Sequence, residues 1–514
     1  MSERSFIGFA IRRNTPVAMS LWALAKTRHW RSVTPMRETL LTLIENIPLI
    51  AGLVLANYVL AAVCAVREVL ASRTSQGSIA WLVSLAFLPF PTAFIYLVFG
   101  WKHFDSYATT RMQVRASRLI RSEELAVIDR ETGKDWPVQL RAAGMPFLAG
   151  NRTELLIDGE ATFDSILSGI AEAQHYVFMQ FYIIRHDALG QRVAAALMER
   201  ARAGVAVYVL YDDVGSSRLS EEYKDRLRAE GIQVFGFNHR HRLLRLFGPM
   251  RINYRNHRKN VVVDGRVAWT GGLNVGVEYL GEDPKFGHWR DTQLKVEGPA
   301  VSSFSLIFQE DWLWATGEVL PVETPSPVEE PGTTPALLMA TGPADKLEAC
   351  AIAFTDIIAQ ARQRLWVVSP YFVPDTDTRT ALFAAAMRGV DVRIMLPEKP
   401  DHLLVWLASN AHADAMVQHG VPIYRYHRGF LHQKVLLMDD KIAGVGSVNF
   451  DNRSFAINFE MTVWMPDATV VKDVEAMLLH DFTDCREVTR EEVQQRSAVR
   501  RFIEQAAKLF SPIL

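Results

Sequence analysis

"GFLHQKVLLMDDKIAGVGSVN", residues 429–449, carries His432, Lys434 and Asp439 at the spacing H-x-K-x4-D and ends on Gly446-Ser447-Val448-Asn449. A second stretch, "YRNHRKNVVVDGRVAWTGGLN" at 254–274, repeats it with His257, Lys259 and Asp264, followed at the same interval by Gly271-Gly272-Leu273-Asn274. One such triplet is weak evidence, since three common residue types fall at that spacing by accident. Two copies with identical intervals define an internal repeat.

The surroundings repeat as well. In one half, "FDSILSGIAEAQ", "YVFMQFYII", "RVAAALMERARAG" and "VAVYVLYDD" precede the motif; in the other, "FTDIIAQARQR", "LWVVSPYFV", "RTALFAAAMRG" and "VDVRIMLP" do so. Apolar strands alternating with helices of this length predict βαβ units on a parallel or mixed sheet buried on both faces. The fold class expected is α/β: two copies of one domain packed face to face about a pseudo-twofold axis. A single site between them would receive one His-Lys pair from each half. The Pro-rich stretch 321–335 suits a linker, because proline supports neither a helix interior nor an inner strand.

Composition sets the class. The chain has 514 residues, 49% hydrophobic, with formal net charge −1. That fits a globular protein with membrane content and counts against a disordered or broadly nucleic-acid-binding chain. The three cysteines, Cys64, Cys350 and Cys485, are far apart and odd in number, so ordinary reduced thiols are expected. Residues 47–66 and 74–101 are free of charge over 20 and 28 positions, each long enough to cross a bilayer as a helix. They begin too late and run too long for a signal peptide. Arg4, Arg12, Arg13, Lys26, Arg28, Arg31 and Arg37 precede the first run, and Lys102, Arg111, Arg115, Arg118 and Arg121 follow the second. Only Arg67 and Arg73 lie between, which predicts a hairpin with both ends in the cytoplasm. The segment 17–32 mixes apolar and basic residues and suits either an interfacial or a disordered arm.

The chemistry follows from the residue types. On a strand, His and Lys two apart share a face, and the apolar run after them anchors that strand. Two histidines on one phosphodiester can divide the work, one attacking phosphorus and the other protonating the leaving alcohol. Lys259, Lys434, Asn274 and Asn449 would supply charge and donors where phosphoryl oxygens gain charge, with Gly272 and Ser447 shaping the tight loops. No metal or other cofactor is needed. His239 and His241 sit in the basic run "HRHRLLRLFGPMR" without acidic or cysteine partners and fit an anion-facing rim better than a metal pair. Gly444-Val445-Gly446-Ser447 matches neither a Walker loop nor a G-x-S-x-G elbow.

The double H-x-K-x4-D-x6-G-[GS]-x-N pattern resembles the phospholipase D superfamily. With the hairpin, "QFYIIRHDALG", "SPYFVPD", "SVNFDNRSFAINFE" and "KLFSPIL", it is similar more narrowly to the bacterial cardiolipin synthases, from about residue 38 onward. The resemblance implies phosphatidyl transfer between two phosphatidylglycerols, giving cardiolipin and glycerol. It makes His257 the nucleophile, His432 the general acid and then base, Lys259 and Lys434 phosphate ligands, and Asp264 and Asp439 supports. It also implies a downstream carboxylate orienting each histidine. Glu460 fits in the second half; the same interval from His257 lands on Lys285, so Asp291 in "HWRDT" is the counterpart after an insertion.

The layout expected is an extension at 1–38, a transmembrane hairpin at 39–101 (helices about 43–66 and 77–101), a connection at 102–150, domains at 151–320 and 336–514, and the linker between them. The expected partners are phospholipids of the bacterial cytoplasmic membrane, in which the chain is multi-pass with its catalytic domains cytoplasmic; no nucleic acid is expected. The same motifs also serve a phospholipase D or a phosphatidylserine-forming enzyme, which differ only in the acceptor, and an HKD nuclease, against which the hairpin and overall charge count.

Overall fold

The computed structural model describes residues 34–71, 75–100, 105–117, 128–238, 253–321 and 330–514. Most of the N-terminal extension, the His239/His241 rim and most of the Pro-rich linker lie outside the described residues. The chain forms two compact units, residues 1–102 and 103–514.

In the first unit, helix α1 (Thr34–Leu70) begins earlier than the apolar run suggests, and its segment Asn46–Leu70, of mean hydropathy 2.4, is long and apolar enough to cross a membrane. The second run differs from expectation. It is divided into α2 (Ser75–Phe87) and α3 (Pro89–Phe99), of 13 and 11 residues, so neither helix alone has spanning length. Pro89 is the reason: its ring pushes the preceding residue out of the helical region, and Leu88 takes φ −132°, ψ 58°. The interruption is one residue long, since Leu88 N still donates to Ser84 O and Thr92 N to Leu88 O. The three helices are tied together by Glu68, fully buried, which accepts from Ser78 Oγ at 2.7 Å and Tyr96 OH at 3.0 Å.

In the second unit, the first half supplies strands β1 (Leu148–Ile157), β2 (Tyr176–Phe181), β3 (Ala206–Tyr211), β4 (Gln233–Gly236), β5 (Asn260–Val263), β6 (Val267–Gly271), β7 (His288–Arg290) and β8 (Thr292–Glu297). The second half supplies β9 (Thr334–Thr341), β10 (Arg364–Val368), β11 (Phe372–Val373), β12 (Asp391–Pro397), β13 (Ile423–Tyr426), β14 (Gly429–Leu431), β15 (Val435–Met438), β16 (Ile442–Gly446), β17 (Phe450–Asp451), β18 (Glu460–Met465) and β19 (Cys485–Glu487). The first half orders its main strands β1-β8-β6-β5-β2-β3-β4, and the second repeats the pattern as β9-β18-β16-β15-β10-β12-β13, with β19 added at its edge. Together they make one continuous 15-stranded sheet, and each half of it is mixed: β2, β3 and β4 are parallel, as are β10, β12 and β13, while the motif strands β5 and β15 run antiparallel to them.

The halves join where β1 pairs with β9, Leu148 opposite Ala336 and Asn151 opposite Thr334, and β16 also lies against β6 and β8. One hydrophobic core consequently runs through both, from Phe178, Leu294 and Phe304 to Leu338, Val367 and Met461. Strand β2 shows why its sequence is apolar except at Gln180. Tyr176 and Phe178 face this shared core, whereas Val177, Met179 and Phe181 face a second core with Phe163, Ile166 and Val193. The three cysteines are unpaired.

Six helices of this unit matter below: α4 (Asp105–Ser117), α5 (Ala188–Arg202), α6 (Val301–Thr316), α7 (Thr376–Met387), α8 (Leu403–Gln418) and α9 (Ala498–Lys508). The repeat extends to their caps. Asp187 accepts from Gly190 N at the start of α5, and Asp375 accepts from Thr378 N at the start of α7.

Candidate active site

The aspartates of the two motifs act on the backbone. Asp264 accepts from the N–H groups of Gln174, His175 and Tyr176 at 2.7–2.8 Å, where the chain enters β2. Asp439 does the same for Arg362, Gln363 and Arg364 at the start of β10. Both take left-handed backbone angles, φ 51° and 50°, as the tight turns after β5 and β15 require. They hold the motif strand to its neighbour and lie away from the cavity.

Each histidine is placed by main-chain pairing with the opposite half. His257 N donates to Phe459 O at 2.9 Å, beside a parallel bridge between Asn256 and Phe459. His432 N donates to Arg290 O at 2.8 Å, where β14 pairs in parallel with β7. Because Phe459 and Arg290 each directly precede a carboxylate, that carboxylate is delivered to the other half's histidine. His257 Nδ1 is 2.9 Å from Glu460 Oε2, and His432 Nδ1 is 2.7 Å from Asp291 Oδ2. Counting from the histidine of the same half therefore misassigns the partner: the two pairs cross.

A buried polar network fixes each crossing. Arg258, 2% exposed, donates to Asp311 Oδ1 at 2.7 Å, to Glu460 O and to Thr341 O, both at 3.1 Å, and so ties α6 to two strands of the other half. Asp311 also accepts from Gln180, Asn256 and the Tyr107 hydroxyl of α4. In the counterpart, Asp481 receives Arg290 in a two-pronged pair at 2.6 and 2.7 Å together with Gln433 at 2.8 Å. Removing one partner of such a pair would strand the other charge, a loss of about 3–5 kcal/mol. Asp311, Asp481, Arg258 and Arg290 carry no motif; their only signal is a charged residue directly beside a motif histidine or carboxylate, for Arg258 and Arg290, and an acidic residue within a largely apolar helical stretch, for Asp311 and Asp481.

The residue after the motif glycine differs between halves for a steric reason. Ser447 Oγ donates to Glu460 Oε2 at 2.5 Å and accepts from Met461 N at 3.0 Å. At Gly272 a Cβ would lie 2.1 Å from Asp291 Oδ1, so glycine makes room for the carboxylate.

The lysines lie buried behind the histidines. Lys259 Nζ donates to His257 O at 2.8 Å, and Lys434 Nζ donates to His432 O and stands 2.9 Å from His432 Nδ1. The cavity in front has a volume of about 740 Å³ and is lined by both histidines, Asn274 and Asn449. Asn274 is held by Ile183 N and Tyr279 OH, while Asn449 Oδ1 has no hydrogen-bond partner. The cavity wall also includes Tyr182, Tyr371, Asp401, Arg218, Arg255 and Arg453, which the motif reading did not assign.

Electrostatics separates the two pairs. Burial pushes His257 down to about 4 despite Glu460, with Lys259 and Lys434 adding to the shift. Glu460 stays below the usual carboxylate range, because His257, Lys259 and Ser447 together outweigh its burial. A neutral imidazole donating Nδ1–H to an ionised Glu460 leaves the Nε2 lone pair free, which is the requirement for a nucleophile. His432 is also pushed well down by burial and the lysines, but burial raises Asp291 to about 6. Asp291 therefore holds its proton to higher pH than Glu460 does, which places an acidic group beside His432.

Comparison with known proteins gives the family. Residues 166–312 and 354–482 match the family model "Cardiolipin synthase, PLD-like domain", and residues 58–101 match "Phospholipase_D-nuclease N-terminal". Cardiolipin synthase A of Pseudomonas aeruginosa (strain UCBPP-PA14) is 44% identical over 477 residues, covering 90% of this chain and 96% of that one. Cardiolipin synthase A of Pseudomonas fluorescens (strain SBW25) is 42% identical over 476 residues, covering 91% and 98%. Among solved structures, phosphatidylserine synthase of Haemophilus influenzae Rd KW20 shares the fold, with a TM-score of 0.55 at 16% identity over 74% of this chain and 99% of that one. The chain belongs to the cardiolipin synthase family of phospholipase D-like proteins.

Proposed function

We propose that the chain transfers a phosphatidyl group from one phosphatidylglycerol to another, giving cardiolipin and glycerol. The observation that carries the reading is the crossed arrangement of His257–Glu460 and His432–Asp291 around one cavity. In the first step His257 Nε2 attacks phosphorus, the P–O bond to the glycerol headgroup breaks, and the proton of the His432–Asp291 pair passes to the departing alkoxide. In the second step the free hydroxyl of another phosphatidylglycerol attacks phosphorus, its proton goes to His432, and the P–N bond breaks. Lys259, Lys434, Asn274 and Asn449 stabilise the charge gained by the phosphoryl oxygens, the electrostatic contribution expected to be largest in such transfers. Asp264 and Asp439 keep the motif strands in register, and Ser447 and Gly272 fit the two carboxylates.

The membrane setting is part of the proposal. We read α1 with the kinked α2–α3 segment as a bilayer hairpin whose basic flanks hold the catalytic unit on the cytoplasmic side. The catalytic unit has its own lipid-facing feature. Helix α9 buries Glu504, which accepts from Arg496 and Arg500, and exposes Val499, Phe502 and Ile503 beside the exposed Arg500 and Arg501, with Phe502 74% exposed. Leu509 and Phe510 extend this apolar row toward Ile513 and Leu514 in the cavity wall, and α8 packs against α9 with Leu403 and Leu404 also exposed. An apolar stripe facing outward at helical spacing suits the acyl boundary of a lipid surface.

Three outcomes are expected. Labelled phosphatidylglycerol given to the full chain in vesicles yields cardiolipin and glycerol; phosphatidic acid without cardiolipin would show a hydrolase. Phe502→Asp reduces that activity about tenfold on vesicles but much less on short-chain lipid in detergent, whereas equal rates on both would remove the docking role of α9. The pH profile of kcat/KM is bell-shaped. It falls as pH drops through about 4, where His257 gains a proton, and falls as pH rises through about 6, where the His432–Asp291 pair loses its own. The base limb of kcat lies higher, because bound phosphate stabilises that proton.

A further inference from the structure

The pseudo-twofold is broken by charge at two positions beside the cavity. Arg255 stands two residues before His257, and the residue two before His432 is Phe430. Arg453 stands four residues after Asn449, and the residue four after Asn274 is Glu278, which is ion-paired with Arg185 at 3.1 Å. Both unmatched arginines line the cavity that holds the histidines.

Neither guanidinium forms an ion pair among the described residues, although Asp212 and Asp451 lie close enough to act on Arg453. Arg453 is held by carbonyls, Nη2 donating to Asn253 O at 2.6 Å and Nη1 to Ile513 O at 3.1 Å. Arg255 Nη1 is buried without a hydrogen-bond acceptor. The nearby Asp212 is already engaged, accepting from the N–H groups of Val214, Gly215 and Asn256. Burial and the neighbouring Arg255 both pull Arg453 below its ordinary value, as two like charges sharing a pocket do. Such an arrangement is costly when empty and is relieved by an anion.

We propose that Arg255 and Arg453 form a second phosphate subsite, which holds the phosphodiester of the acceptor lipid while the transferred phosphoryl group lies between His257 and His432. The inference rests on the transferase reading above and deepens it. Water and glycerol carry no phosphate, whereas an acceptor phosphatidylglycerol does, and the cardiolipin formed has two phosphates separated by three carbons. A cationic subsite on one side only therefore separates acceptor from donor in a reaction whose two substrates are the same molecule. When the acceptor hydroxyl attacks, a new P–O bond forms, the P–N bond to His257 breaks, and the hydroxyl proton goes to His432; the subsite fixes the far phosphate and so aims the hydroxyl.

The test uses the full chain in vesicles of phosphatidylglycerol with labelled glycerol in the water phase, so that transfer to lipid (cardiolipin) and to glycerol (labelled phosphatidylglycerol) are read together. Arg255→Gln is expected to lower the ratio of cardiolipin to glycerol exchange at least tenfold, and Arg255→Lys to lower it less. Glycerol 3-phosphate in place of glycerol is expected to be the better water-soluble acceptor for the native chain, an advantage that Arg255→Gln removes. An unchanged ratio, whether or not both rates fall, would overturn the proposal, as would a response to added inorganic phosphate that leaves the ratio constant. If the native chain makes no cardiolipin, the transferase reading fails instead. Arg453→Lys repeats the measurement independently should Arg255→Gln not fold.

Discussion

Two short parallel main-chain pairings, Asn256 with Phe459 and Leu431 with Arg290, govern the whole catalytic unit. Each sets a histidine from one half beside the residue that precedes a carboxylate in the other. Neither half can then present an oriented histidine alone. The shared core, the pairing of β1 with β9 and the Arg258–Asp311 and Arg290–Asp481 networks serve that constraint, since a shift of either half would part both histidines from their carboxylates.

The same constraint explains why two copies of one motif need not be equivalent. Crossed pairing permits each carboxylate to differ. The longer Glu460, supported by Ser447, stays ionised beside His257, whereas Asp291, admitted by Gly272, is raised by burial beside His432. In the proposed mechanism, a fold that is nearly symmetric in its backbone is thereby polarised into a nucleophilic and an acidic side. Arg255 and Arg453 add a second asymmetry along the same cavity.

Much of this could be read from the chain because local rules and global fold agree. The apolar runs of β2 and β3, the helix caps Asp187 and Asp375, and the paired motifs all announce their places through spacing. The crossing could not be read, because interval counting stays within one half while the contacts pass between halves. Lys285 stands where such counting places a carboxylate and is not one. The interruption at Leu88 follows from Pro89, which divides an apolar run that by length alone reads as one helix. The outward apolar face of α9 and the lone guanidiniums of Arg255 and Arg453 carry no motif; they are recognised by what their neighbours fail to provide.

The assignment of His257 as nucleophile is the centre of this account, and the position of phosphorus during turnover tests it most directly. The full chain is given phosphatidylglycerol labelled in phosphorus, quenched in alkali that preserves phosphohistidine, and mapped by peptide. Label on the peptide containing His257 is the expected result. Label on His432, or steady cardiolipin formation with no label on either histidine, would contradict it.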